Sequence, residues 1–195
     1  QIQTCCAANP NVLSTRNDDN ILVEDDRTIE EVLQSHAIKE VRASIKQGIL
    51  HPKYCQGCIK REDLGFGSER DWHNNISPDF DCSTASLDDY KPALMDIRWN
   101  NTCNLACTYC SPYFSTKWAS IKGESSNKTI KSDYQEIIDY IALHRDSVKE
   151  VALVGGEPLM MKENDQLLDI LPDDVLVTVI TNMTTDFERM PVPQK

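Results

Sequence analysis

Long hydrophobic runs are absent from this chain. No segment of its 195 residues approaches the roughly 18 consecutive apolar residues that a membrane-spanning helix needs, and no signal peptide is visible. We therefore expect a soluble protein with no membrane partner. The hydrophobic content of 40% is still enough for one domain with a real core, or for one such domain and a small appendage.

An excess of basic residues is also absent. The net charge is -11, with 10 Lys and Arg against 16 Asp and Glu in residues 1–93, and 10 against 15 in residues 94–195. Because affinity for nucleic acids comes mainly from Lys and Arg on phosphates, this balance disfavours a dedicated DNA or RNA binder. No common spacing relates the four histidines, which favours ordinary surface or core roles over catalysis. They are His36, His51, His73 and His144.

Cysteine, by contrast, is abundant, and its spacing indicates metal binding. Tight clusters are typical of thiolates that share a metal, whereas a secreted disulfide framework would come with an export signal. We therefore expect a reducing, cytoplasmic location. The clusters are Cys5-Cys6, Cys55-x2-Cys58 and Cys103-x3-Cys107-x2-Cys110, and Cys82 stands alone as a bystander.

The cluster at residues 103–110 is the densest of the three. Three thiolates within eight residues can reach one compact inorganic centre, yet they leave one metal position without a protein ligand. A small molecule can bind at that open position. Zinc is the alternative, but a zinc site needs a fourth ligand, and the nearest histidines, His73 and His144, are far away in sequence.

Alternating strand and helix patterns predict an α/β fold. Apolar runs at 94–99, 151–154 and 175–180 predict strands, and the last two are nearly continuous, as expected for parallel strands covered on both faces. Helical patterns lie at 134–148 and 166–171, where Pro172 ends the second. Earlier in the chain, Thr28 and Glu31 form a capping box that predicts the start of a helix. The helical pattern ends at Gly48, and it indicates either one helix or two helices broken near Ser35.

Polar or glycine-rich motifs follow each predicted strand. The cysteine loop follows the first run, Gly155-Gly156-Glu157-Pro158 the second, and Thr181-Asn182 the third. The carboxyl ends of parallel strands meet at one edge of a sheet, where ligands bind. Taken alone, the diglycine predicts an ordinary strand-to-helix turn, Thr181 and Asn182 predict a strand cap, and Tyr109 predicts a core residue.

Together, these motifs resemble the radical S-adenosylmethionine (radical SAM) superfamily. The resemblance implies that Cys103, Cys107 and Cys110 hold a 4Fe-4S cluster, whose fourth iron is chelated by the amino and carboxylate groups of S-adenosylmethionine. It further implies a 5′-deoxyadenosyl radical, an electron donor such as a flavodoxin or ferredoxin, and an unknown substrate for which a peptide or protein is one candidate. The implied cofactor contacts are Tyr109 near the adenine, Gly155, Gly156, Glu157 and Pro158 at the methionine amino group, and Thr181 and Asn182.

The front of the chain resembles the SPASM-like cysteine module of twitch-domain radical SAM proteins, which holds an auxiliary iron–sulfur cluster. The resemblance implies Cys5, Cys6, Cys55 and Cys58 as metal ligands. A zinc half-site or a redox pair at Cys55 and Cys58 are alternatives. The residues that carry the resemblance are Cys5-Cys6, Arg42, Pro52, Cys55, Cys58, Glu62, Gly65, Ser68 and Arg70.

The expected architecture is therefore α/β, the N-terminal part of a partial (β/α)6 barrel with a small irregular or helical cysteine module in front. We expect a SPASM/twitch-like module at 1–78, truncated at its N-terminus, a connector at 79–93 and the first half of a radical SAM core at 94–195. Because the chain starts at Gln1 and stops soon after the third predicted strand, we expect a fragment of a longer protein. The alternative function is a non-catalytic zinc-binding structural or interaction module.

Overall fold

The computed structural model describes residues 28–76, 86, 88, 91–124 and 134–185. The chain divides into two compact units, residues 1–90 and residues 91–195. Among the described residues, no helix combines the length and apolar character needed to cross a membrane. The predicted limits of module, connector and core domain stay predictions.

The first unit is helical. Its helices are α1 (Ile29–Leu33), α2 (His36–Lys46), α3 (Gln56–Asp63) and α4 (Glu69–Ile76). The predicted capping box is confirmed, because the Thr28 hydroxyl accepts the Glu31 N–H at 3.2 Å and the Glu31 carboxylate accepts the Thr28 N–H at 2.8 Å. Ser35, in an extended conformation, separates α1 from α2, so the alternative with two helices is the correct one.

A small apolar cluster stabilises this unit after α2. Gly48 adopts the left-handed conformation with φ 75°, which turns the chain away from the end of α2 as predicted. Tyr54 is then buried against Val41 of α2, and the His51 ring stacks on the Tyr54 ring at a centroid distance of 4.6 Å. This packing fixes the segment that leads into Cys55, the N-cap residue of α3.

The second unit is α/β, with a three-stranded parallel sheet in the order β1-β2-β3. Its elements are β1 (Leu94–Ile97), α5 (Thr116–Lys122), α6 (Tyr134–His144), β2 (Glu150–Leu153), α7 (Glu163–Ile170) and β3 (Leu176–Val179), with 3-10 turns at Arg145–Ser147 and Pro158–Met160. The predicted α/β class and parallel strands are confirmed, and the sheet is consistent with a partial barrel. Helix α5 was not predicted.

One face of the sheet carries the core. In register, Val151 of the central strand pairs with Met95 and Val177, and Leu153 pairs with Ile97 and Val179. These residues pack with apolar side chains of α6 and α7 in one cluster, so both helices cover the same face. The helix residues are Ile138 and Ile141 of α6 and Leu167 of α7.

The other face of the sheet is more open than the sequence predicts. Leu94, Leu176 and Thr178 are exposed, and Ala152 between them is only half-buried. The expectation of coverage on both faces, made for the second and third strands, is therefore wrong for β3, since α6 and α7 both pack on the face of Ile97 and Leu153. Successive side chains of a strand alternate between faces, so each outer strand has one covered row and one open row.

Candidate cofactor site at the carboxyl ends of the strands

The cysteine loop begins at Cys103, six residues after Ile97, the last residue of β1. Its thiols, those of Cys103, Cys107 and Cys110, are free and partly exposed. A tight turn links two of them, because the Cys110 N–H donates to the Cys107 carbonyl at 2.9 Å. Three unpaired soft ligands are therefore available at the carboxyl end of the first strand.

Helix α5 holds the backbone of this loop. The buried Ser115 caps the helix, accepting the Trp118 N–H, and its hydroxyl donates to the Leu105 carbonyl at 2.7 Å. The next residue, Thr116, accepts the Cys103 N–H at 3.1 Å. The Trp118 indole N–H donates to the Cys107 carbonyl at 2.7 Å. The sequence reasoning missed these loop-holding positions, and the N-cap serine is the one local signal that points to them.

Tyr109 stands at the tip of the loop and is 91% exposed, so it is not a core residue. A hydrogen bond with the Cys107 side chain, and then the negative charge of Cys107, raise the pKa of Tyr109. Cys110 and Cys103 add smaller contributions in the same direction. All three thiols therefore act in the same direction on the pKa of Tyr109.

The diglycine turn after β2 lies against the start of the cysteine loop. The Glu157 N–H donates to the Thr102 carbonyl at 2.8 Å, and the Gly156 N–H donates to the Asn100 carbonyl at 3.4 Å. A side chain at Gly156 would overlap the Thr102 carbonyl oxygen and lie 2.6 Å from the Asn101 carbonyl carbon. Glycine at 156 is thus required by packing against the loop, a reason that the sequence did not reveal.

Glu157 is fully buried and joins the ends of two strands. Its Oε1 accepts the Leu159 N–H at 3.0 Å and the Thr181 hydroxyl at 2.6 Å, while Oε2 accepts the Asn182 N–H at 2.8 Å. Burial of a carboxylate is costly unless hydrogen bonds replace its water. These donors satisfy the group, which caps the turn at the buried Pro158 and ties β2 to the segment after β3.

The segment after β3 contacts the cysteine loop. The Asn182 side-chain amide donates to Asn104 Oδ1 at 3.0 Å and lies 3.8 Å from Cys103 Sγ. Its Oδ1 accepts the Thr184 N–H at 2.9 Å. Between these residues, Met183 adopts a left-handed backbone with φ 57°, held by its N–H to the Thr181 hydroxyl at 3.0 Å. The three motifs predicted at the strand ends therefore meet at one edge.

The donor set fits an iron–sulfur cluster. Three free thiols with an anchored backbone are the protein ligands that such a cluster takes. Within the described ranges, no three His, Cys, Asp or Glu side chains, the loop cysteines included, are arranged to share a single metal ion.

The second predicted metal segment lies in the first unit. Cys55 is half-buried and Cys58 is buried, and burial is the main cause that raises the pKa of the Cys55 thiol. Cys5, Cys6 and Cys82 lie outside the described residues. The structure therefore describes two of the four predicted auxiliary ligands.

A charged network lies beside that pair. Glu62 accepts the Ser68 hydroxyl at 2.6 Å and the Arg70 guanidinium at 2.7 Å. Hydrogen bonds from Arg70 and then Ser68 hold the pKa of Glu62 below its ordinary value. Glu62 thus forms hydrogen bonds with both Ser68 and Arg70. All three residues belong to the set on which the resemblance to the SPASM-like module rests.

Comparison with known proteins gives a family match within the second unit. Residues 97–191 match the family model of the radical SAM superfamily. A 7-carboxy-7-deazaguanine synthase of Clostridium acetobutylicum is 38% identical over 89 residues, covering 45% of this chain and 36% of the relative. A GTP 3',8-cyclase of Paenarthrobacter nicotinovorans is 35% identical over 89 residues, covering 45% and 23%. A GTP 3',8-cyclase of Nautilia profundicola is 28% identical over 102 residues, covering 49% and 30%.

These matches cover the relatives only in part. The chain spans at most 36% of the length of the three relatives, and no solved structure matches it significantly. The superfamily implies a 4Fe-4S cluster and S-adenosylmethionine, and the relatives are named as enzymes. Residues 97–191 of the chain therefore match the radical SAM superfamily, and this match supports an enzyme.

Proposed function

We propose that this chain acts as a radical SAM enzyme whose 4Fe-4S cluster is held by Cys103, Cys107 and Cys110. The observation that carries the proposal is the meeting of the cysteine loop with the diglycine turn, joined by the hydrogen bond of 2.8 Å from the Glu157 N–H to the Thr102 carbonyl. Cys103, Cys107 and Cys110 would hold the cluster, which would supply one electron for cleavage of the carbon–sulfur bond of S-adenosylmethionine into methionine and a 5′-deoxyadenosyl radical. The chain supplies position and shielding from water.

The predicted cofactor contacts divide into two groups in this proposal. The backbone of Gly155 and Gly156, with Pro158, faces the methionine amino group, and the exposed Tyr109 lies on the adenine side. Glu157 and Thr181 use their side chains for hydrogen bonds within the protein. We therefore propose that these two side chains fix the shape of the site, and that any contact of Glu157 or Thr181 with the cofactor is made by their backbone.

The names of the relatives favour a guanine-type substrate over a peptide. One relative is named for GTP and another for a 7-deazaguanine, a guanine-like base. We therefore propose a purine nucleotide, with GTP as the first compound to test. A peptide or protein, which the front module suggested, becomes the competing candidate.

The first unit has an accessory role in this proposal. Cys55 and Cys58 bind an auxiliary iron–sulfur cluster with ligands supplied by Cys5 or Cys6. Two features support a metal at this place: the two thiols are free, and Cys55 stands at the N-cap position of the helix that carries Cys58. A zinc half-site and a redox pair remain the alternatives. A flavodoxin or ferredoxin is the proposed electron donor.

Metal analysis after anaerobic purification tests the proposal. We expect about four irons and four sulfides for each cluster, and a paramagnetic signal of the reduced protein that changes when S-adenosylmethionine is added. Release of 5′-deoxyadenosine is then measured with GTP and with peptide mixtures, and we expect GTP to stimulate it. Zinc without iron would exclude the proposed activity, and stimulation by peptides alone would exclude the purine substrate.

A further inference from the structure

We propose that Asn182 is a positioning residue that donates an N–H···S hydrogen bond to Cys103 and thereby raises the reduction potential of the cluster. The inference rests on the proposed function, since it concerns the cluster that the cysteine loop would hold. Its starting point is the distance of 3.8 Å between Asn182 Nδ2 and Cys103 Sγ, which joins groups 79 residues apart in the chain.

The orientation of the Asn182 amide follows from its partners. A backbone N–H can only donate, and the Thr184 N–H points at one end of the amide at 2.9 Å, so that end is the oxygen. The Thr184 hydroxyl lies at 2.6 Å from the same oxygen. The other end is therefore the NH2 group, and its two hydrogens serve Asn104 Oδ1 and Cys103 Sγ. This assignment needs no choice between two equivalent flips.

Both ends of the N–H···S contact are fixed by neighbouring elements. On the donor side, the buried carboxylate of Glu157 accepts the Asn182 N–H at 2.8 Å and thus locates its backbone. On the acceptor side, Thr116 at the start of α5 accepts the Cys103 N–H at 3.1 Å. The donor and the sulfur therefore meet because three elements hold them, and not because one flexible side chain happens to reach the other.

A hydrogen bond to a ligand sulfur affects the two oxidation states of a cluster unequally. Reduction adds negative charge to the cluster and its sulfurs, and a donor stabilises the state with more negative charge. The Asn182 amide therefore makes the cluster easier to reduce. The same amide, through Asn104, links the cysteine loop to the segment after β3.

The test is a redox titration of the reduced-cluster signal in the wild type and in Asn182→Ala. We expect the variant to assemble its cluster and to have an equilibrium constant for one-electron reduction lowered about tenfold, which corresponds to a potential about 59 mV more negative. The Asn182→Asp variant keeps an acceptor for Thr184 and replaces the donor by an anion. Its potential should fall at least as far.

The matched control is Thr184→Val. It removes the hydroxyl that bonds Asn104 and Asn182 but keeps the backbone N–H that orients the amide. We expect its equilibrium constant to stay within threefold of the wild type. An exchangeable proton coupled to the reduced cluster should be lost in Asn182→Ala and kept in Thr184→Val.

The possible outcomes separate this inference from the proposed function. A wild type without an iron–sulfur cluster would refute the proposed function. A wild type with a cluster, and a reduction constant for Asn182→Ala within threefold of it, would refute the role of Asn182 alone. Failure of both Asn182 variants to assemble a cluster would also refute it, because Asn182 would then be needed for assembly and not for tuning.

Discussion

The two cysteine segments of this chain differ in how much of a metal site each one contains. Residues 103–110 supply three free thiols in a loop whose carbonyl and amide groups are bonded to side chains of α5. Residues 55–58 supply two thiols around the first turn of α3. The first segment can hold three corners of a cluster by itself, whereas the second needs ligands from elsewhere.

The surroundings of the two segments differ in the same way. Beside Cys55 and Cys58, Glu62 and Arg70 form a partly exposed ion pair at 2.7 Å. Beside Cys103, neutral donors and the fully buried Glu157 hold the loop. Exposed ion pairs contribute little to stability, while a buried group with complete hydrogen bonding fixes a geometry. The comparison predicts a rigid main site and a more adaptable accessory site.

The largest expected effect comes from Cys107→Ala. Removal of one of three ligands leaves too few thiols for the main cluster, so we expect loss of that cluster's iron and of reductive cleavage of S-adenosylmethionine. Cys82→Ala is the control and should retain both. Iron, sulfide and 5′-deoxyadenosine are measured for the two variants. Equal losses in both would mean that the cysteines are partitioned wrongly between ligands and bystanders.

The second effect concerns the accessory site. In the double variant Cys55→Ala and Cys58→Ala, we expect the iron of the auxiliary cluster, about four atoms, to disappear. The signal of the main cluster and its response to S-adenosylmethionine should persist, because the main ligands are contiguous. Loss of zinc with no loss of iron would favour the zinc half-site instead, and loss of the main signal would contradict the independence of the two segments.

The third effect is on stability. Gly156→Ala forces a methyl group into the Thr102 carbonyl, and overpacking of this kind costs about 3 kcal/mol in the free energy of unfolding. Gly67→Ala is the matched control, since a methyl group there meets nothing within 4 Å, and it should change stability by less than about 0.5 kcal/mol. Urea unfolding measures both. A similar cost for the two variants would argue against close packing of the diglycine turn on the cysteine loop.

These sites also illustrate what the sequence could predict. Capping residues and continuous apolar runs are local signals, so α1, α6 and the three strands were predicted, as was the edge that the motifs share. Helix α5 was missed because it has seven residues and is fixed by a tertiary bond from Ser115 to Leu105. The partners of Glu157 lie up to 25 residues away, so its role as a link between strand ends could only be seen in the fold.

The open face of the sheet was mispredicted for a related reason. An apolar run contains no information on which helices will cover it, so continuous hydrophobicity predicts coverage on both faces even where one face is open. In the structure, α6 and α7 share the face of Ile97 and Leu153, and Leu176 on the other face is exposed. Sequence periodicity therefore predicts the strands and the helices α6 and α7, but it does not predict which face of the sheet these helices cover.

The smallest expected effect is a pH dependence in the first unit. Arg70 holds the pKa of Glu62 below its ordinary value of 4.5, so the ion pair contributes stability above that pH, and this contribution is lost as pH falls through the lowered value. Arg70→Gln should therefore flatten the acid side of the stability profile, measured by urea unfolding between pH 3 and 7 in roughly the range where carboxylates titrate. Lys60→Gln removes an exposed positive charge from the same unit and should leave the profile unchanged. If Lys60→Gln flattens the curve equally, net charge and not the contact between Glu62 and Arg70 sets the pH response.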